Sequence, residues 1–254
     1  MYDQTRIVDI DSVDSWPPLV LELIDRVIDS LVGDDWLRYP RDHFRTGDFE
    51  EEERLLREAL SSHRLLAHHA ARLLQHEIDD IQESSGLRVL TEDLRLAKVQ
   101  SALEHYPELA ALDPGGTKIL SDGPNSWQGT AGGRIGTIDF VAPFSIFEHQ
   151  TWGFWNLFDT WGGETLGWLK DGRESSELLM RLTEASKPVI VEFGARVATL
   201  NTYKMLLPAF VGSRGSADDY WGQWRTNESI PPDWVGELIT PDSPRWPDGH
   251  VEVA

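Results

Sequence analysis

The sequence predicts an α+β fold in which helices pack on a mixed, mostly antiparallel sheet. Amphipathic helical stretches crowd the first half, and short apolar runs bounded by turns fill most of the second. The two kinds never settle into the strand–helix–strand alternation that a parallel sheet requires. With 254 residues, 40% apolar content and 11 tryptophans, the chain can bury a sizeable core and falls outside the disordered class. No internal repeat is visible.

Each element follows from its pattern. "SWPPLVLELIDRVIDSLVG" opens with Ser15 as the expected N-cap and prolines in the first turn. Its apolar residues, Leu19 to Leu31, recur at the helical period, and Gly33 closes it. A second helix is expected from about Phe49 to Ser62, acidic at its start as the dipole favours, with Leu55, Leu56, Ala59 and Leu60 inward. "HRLLAHHAARL" reads as a strand, with a continuing helix as the competing assignment. "LQHEIDDIQESSGLRVL" puts Leu74, Ile78 and Ile81 on one helical face, and "TEDLRLAKVQSALEHY" is a helix capped by Thr91. Residues 110–133, rich in Gly, Pro, Asp and Ser, read as a long loop. "GRIGTIDFVAPF" alternates as a strand, "SSELLMRLTEAS" is a short helix, "KPVIVEFGARV" an apolar strand, and "IPPDWVGELIT" a last strand entered through two prolines. No linker follows residue 62. Residues 1–62 are therefore an N-terminal helical layer on an α+β domain at 63–254, the two forming one unit.

Composition excludes several kinds of chemistry. Without cysteine there are no disulfides, thiolate metal sites or thiol nucleophiles. A net charge of −20, with the acidic run "DFEEEE" and no basic patch, disfavours direct contact with nucleic-acid phosphate. That charge serves solubility or, alternatively, the polyanion mimicry of an inhibitor. No signal-peptide pattern or membrane-length apolar run is visible, so a cytoplasmic location without membrane contact is expected. Phosphate-loop, dinucleotide, zinc-protease and nucleophile-elbow motifs are missing. His68, His69, His76, Glu77, Asp79 and Asp80 crowd together, but a polar helix face accounts for them better than a metal site.

The stretch from His68 to Leu90 resembles the opening of the diphtheria-toxin-like ADP-ribosyltransferases. There a strand carries His-x-Thr or His-x-Ser, and a short helix leads to a Gly-Leu turn. On that match His69 is the family histidine, which binds the ribose of NAD and orients its nicotinamide end. Ala71 stands where a hydroxyl is usual, and Gly86-Leu87 is the turn. His68 takes the role if the strand is one residue out of register. The segment "RTNESIPPDWVGELI" resembles the family's last strand, and Gln223 stands where its glutamate could fall. The resemblance spans roughly residues 66–239 and implies an ADP-ribosyltransferase-like fold with NAD as substrate.

Such chemistry needs a carboxylate beneath the ribose, where positive charge develops as nicotinamide leaves, and an aromatic wall that excludes water. "TWGFWNLFDTWGGETLGWL" supplies Trp155 and Trp161 as stacking faces and Glu164 as one candidate acid. Glu192 and Glu228 are the others, and the sequence leaves the choice open. Each has a plain structural alternative: a first-turn residue of a helix, a strand residue paired with an arginine such as Arg196, and a solvated turn residue. The expectation is an NAD-dependent transferase acting on a macromolecular acceptor, in the manner of a toxin or defence effector. The alternative is a non-enzymatic acidic antitoxin, immunity or inhibitor protein that binds a protein partner and keeps a decayed transferase fold.

Overall fold

The computed structural model describes residues 7–31, 49–121, 135–148, 157–162, 176–201, 205–215 and 222–247. Among them six strands form one sheet: β1 (Ile7–Val8), β2 (Arg64–Leu73), β3 (Ile138–Val141), β4 (Lys187–Arg196), β5 (Gln223–Thr226) and β6 (Val235–Ile239). The order is β5-β3-β2-β4-β6. Every neighbouring pair on that path is antiparallel, and β1 runs parallel to the start of β2. The described residues also form seven α-helices: α1 (Pro18–Ser30), α2 (Glu50–Ala59), α3 (Gln75–Asp80), α4 (Glu92–His105), α5 (Lys118–Ser121), α6 (Ser176–Ala185) and α7 (Leu207–Arg214). This is the α+β arrangement the sequence predicts, and "HRLLAHHAARL" is a strand rather than a helix.

Alternation along β2 and β4 sorts the core. Leu65, Ala67, Val189, Val191 and Phe193 face α1, α2 and α7, meeting Val20, Ile24, Leu56 and Phe210 in one cluster. Ala70, Val141 and Ile190 face the other way, onto Ile146, Phe147 and Phe158. A third cluster, built on Leu74, Val99, Trp161 and Leu182, packs α4 and α6 beyond the end of β2.

Local chemistry refines several boundaries. Ser15 does not cap α1. Its hydroxyl donates to the carbonyls of Asp9 and Ser12, and the helix starts after Pro17 with no side-chain cap. Prolines at the start leave fewer N–H groups to satisfy, so the cap is dispensable. Thr91 does cap α4, its hydroxyl accepting from Leu94 N at 3.0 Å. Helix α3 runs into a π-helical turn over Ile81–Ser85 and ends at Gly86. The start of the expected 110–133 loop is structured, with a 3₁₀ turn at Pro107–Ala111 and α5; residues 122–134 lie outside the described residues. Glu53 in α2 anchors α7, its carboxylate accepting from Leu206 N and Leu207 N at 2.8 and 2.9 Å. No described helix is long and apolar enough to cross a membrane.

Candidate functional site

Strands β2 and β4 pair along all ten residues, whereas β2 and β3 share one register pair, His68↔Val141. Beyond that pair β2 and β3 part, and a cavity of about 400 Å³ opens in the fork. Residues His69 to Leu73 form one prong and Thr137 to Asp139 the other. Among the described residues no strand pairs with this edge of β2 past His68, and His69 to Leu73 line the cavity.

His69 stands at the crotch of the fork. Its Nδ1 lies 2.8 Å from the Asp139 carbonyl oxygen. A carbonyl only accepts, so Nδ1 carries the proton and Nε2 is the basic nitrogen of the neutral ring. Ala71 shares the His69 face of β2 and lines the cavity. Trp161, also on the wall, donates its indole N–H to Glu77 Oε2 at 2.8 Å. Glu77 accepts from Leu74 N at 2.9 Å and forms an ion pair with Lys98 at 2.9 Å. Burial pulls its carboxyl upward, but Lys98 and the two N–H donors overcome that and hold it below the usual carboxylate range.

Gly86 and Leu87 also line the cavity. Leu87 N donates to Ile230 O at 2.9 Å, and Ile230 N donates back at 2.7 Å. The Gly-Leu turn and the Ile-Pro-Pro segment, far apart in sequence, are thus joined by one antiparallel bridge, Leu87 to Ile230. Gly86 has φ +62° and ψ −156°, a region open in practice to glycine alone.

His68 points to the opposite face and is fully buried. Its Nδ1 meets the Ala142 carbonyl at 3.0 Å, its edge meets Phe144, and Nε2 lies 3.8 Å from Glu192 Oε2. Glu192 therefore does not reach the cavity. Its carboxylate is held at 2.9 Å by Arg245 rather than by Arg196, and it stays below the usual range although burial opposes this. Arg196 instead pairs with Glu228 at 3.3 Å, and Glu228 does not line the cavity. Glu164 and Trp155 lie outside the described residues.

So the fold brings His69 and Trp161 to one cavity and His68 and Glu192 to the other side of the sheet. Among the described residues, no group of three side chains is placed to hold a metal ion. His76 stacks on His105 with ring centroids 3.8 Å apart. Sequence reasoning missed Glu77, Arg95 and Lys98 as wall residues. Glu77 had a legible signal, a carboxylate in the first turn of a helix where it meets a free N–H. Arg95 had one too, as a base in the apolar stripe of α4. Burial pushes its guanidinium down to about 10. No family model, curated protein or solved structure matches the chain.

Proposed function

We propose that this chain is an ADP-ribosyltransferase-like enzyme that takes NAD as substrate and passes ADP-ribose to a macromolecular acceptor, as a toxin or defence effector does. The observation that carries this reading is the β2/β3 fork, with His69 fixed at its crotch. The bridge between Leu87 and Ile230 adds weight, because it joins the two segments on which the family resemblance rests. In this reading nicotinamide enters the apolar fork beside Trp161, its amide meets the open edge of β2, and the imidazole of His69 holds a ribose hydroxyl. Departure of nicotinamide leaves positive charge on the ribose, which a carboxylate stabilises until the acceptor attacks. Glu192 and Glu228 stand away from the cavity, so the reading assigns that carboxylate to Glu164, two residues along the chain from cavity-lining Gly162.

A second reading is favoured by Ala71, which lines the cavity without the usual hydroxyl, together with the distance of Glu192 and Glu228 from it. There the cavity binds without turnover, and the acidic chain acts as an antitoxin, immunity or inhibitor protein. Incubation with adenylate-labelled NAD and protein, DNA or RNA acceptors separates the two. The enzyme reading expects NAD cleavage or label transfer that falls at least about a hundredfold in H69A and E164Q while circular dichroism is unchanged. NAD that stabilises the protein but is neither cleaved nor transferred selects the binding reading. NAD that does not bind at all removes the enzyme reading and leaves the interaction-protein reading standing.

A further inference from the structure

Helices α3 and α4 both contribute to the wall of the fork cavity, α3 through His76 and Glu77, α4 through Lys98, Val99 and Ser101 among others. Glu77 pairs with Lys98 at 2.9 Å. His76 stacks flat on His105 in the last turn of α4, the ring centroids 3.8 Å apart and the planes 4° from parallel. Imidazoles stacked face to face attract while neutral and repel when both are charged. His105 donates from Nδ1 to the Ser101 carbonyl at 2.9 Å. Nε2 of His76 is buried and meets no hydrogen-bond partner among the described residues. The cheaper tautomer leaves that nitrogen as a bare lone pair. Protonation makes it a buried donor with nothing to receive it, which costs more.

The charged groups around His76 are Glu77, Asp79 and Asp80 of α3 and Lys98 and His105 of α4. Burial first, then the charge of His105, push the His76 imidazole below the usual histidine range; Lys98 adds to this, and Glu77 and Asp79 oppose it. The nearby acids are engaged: Glu77 by Lys98, Asp80 by Arg88 at 3.3 Å, and Asp79 by the Gln75 amide at 2.8 Å. We propose that the His76–His105 stack is a proton-operated latch on the wall of the fork cavity, closed while the rings are neutral and released in acid. The unfolded chain takes up the His76 proton first. The contribution of the latch is therefore whole above the ordinary histidine value and is lost as pH falls through the folded one. Glu77, whose carboxyl is held low, stays ionised over that range and keeps its contact with Lys98. Release thus parts the helices at His76 while the Glu77–Lys98 contact holds, and solvent gains the wall behind the stack. The latch belongs to the cavity itself and depends on no particular ligand.

The test exploits the absence of cysteine from the chain. Val99 lines the cavity at 1% exposure, so V99C places one shielded thiol in the wall. Its rate of reaction with a dipyridyl disulfide, divided by that of the urea-unfolded chain at the same pH, reports opening. From about pH 7.5 to about pH 5.5 this ratio should rise at least about fivefold in V99C while far-ultraviolet dichroism is unchanged. With H105F added, which keeps a stacked ring and removes one charge, the ratio should change by less than about twofold. H76F should behave alike. A flat ratio in V99C overturns the latch, and so does an equal rise in either phenylalanine variant. A rise that coincides with lost dichroism is global unfolding and also overturns it. Should V99C fail to fold, L73C, at another shielded wall position, carries the same measurement. No ligand is present, so failure of the latch leaves the transferase reading to the NAD assay, and failure of that reading leaves the latch standing.

Discussion

At 7% exposure, Glu77 ties together three walls of the cavity through Leu74 N at the end of β2, the Trp161 indole and Lys98 of α4. Glu77→Gln keeps the shape and removes the charge. The expected cost is about 1–3 kcal/mol, held down because Lys98 can turn to water, and the Trp161 fluorescence should shift to the red. The sign of its pH dependence is fixed by the lowered carboxyl. The unfolded chain takes up the proton first on acidification, so the contribution is complete above the ordinary carboxylate range and is lost as pH falls through the folded value. Urea midpoints measured from pH 7 to pH 3 should therefore converge for the two proteins as pH falls; parallel curves would show that Glu77 is not held ionised. The neighbouring histidines show how much one position matters in a strand. His69 faces a cavity and His68 faces Glu192 across the sheet, because successive side chains take opposite faces.

Among the secondary-structure elements, the turn after α3 is the most exacting. A Cβ on Gly86 would stand 2.0 Å from Ile230 O, and φ there is +62°. Relief can come only by moving main chain. Gly86→Ala should cost at least about 2 kcal/mol, and urea unfolding should register it as a lowered midpoint. A loss below about 0.5 kcal/mol would mean that the Leu87–Ile230 bridge is not formed. Strands β2, β3, β4 and β6 and helices α1, α2, α4 and α6 were legible in the sequence because each carries a clean period or a cap. Strands β1 and β5 and helix α7 were not. Two residues make no pattern, "QWRT" mixes polarities, and α7 is apolar on nearly every side because it is buried among other elements.

For the molecule as a whole, the N-terminal layer and the sheet share one core: Ile24 of α1 and Leu56 of α2 lie in the same cluster as Phe193 and Phe210. Unfolding should then be a single event. Ile24→Ala, at a fully buried position, is expected to cost about 2–4 kcal/mol and to lower the transitions seen by far-ultraviolet dichroism and by tryptophan fluorescence together. A helical transition that moves while the tryptophan transition stays would separate the layer from the sheet domain. The candidate site depends on this unity, since its walls come from β2, β3, α3, α4 and the 157–162 segment.

What the sequence determined by itself was the inventory: an α+β chain, most of its helices and strands, a histidine in a strand before a Gly-Leu turn, and an acidic surface without thiol chemistry. These are local or additive properties, carried by period, turn chemistry and composition. Only the tertiary structure decided which side chains meet. It parted β2 from β3 to open a cavity, turned His69 into it and His68 away, moved Glu192 and Glu228 out of reach, and brought Glu77 and Arg95 in. Strand pairing and helix packing join residues far apart in the chain, and no local pattern encodes which partner they find.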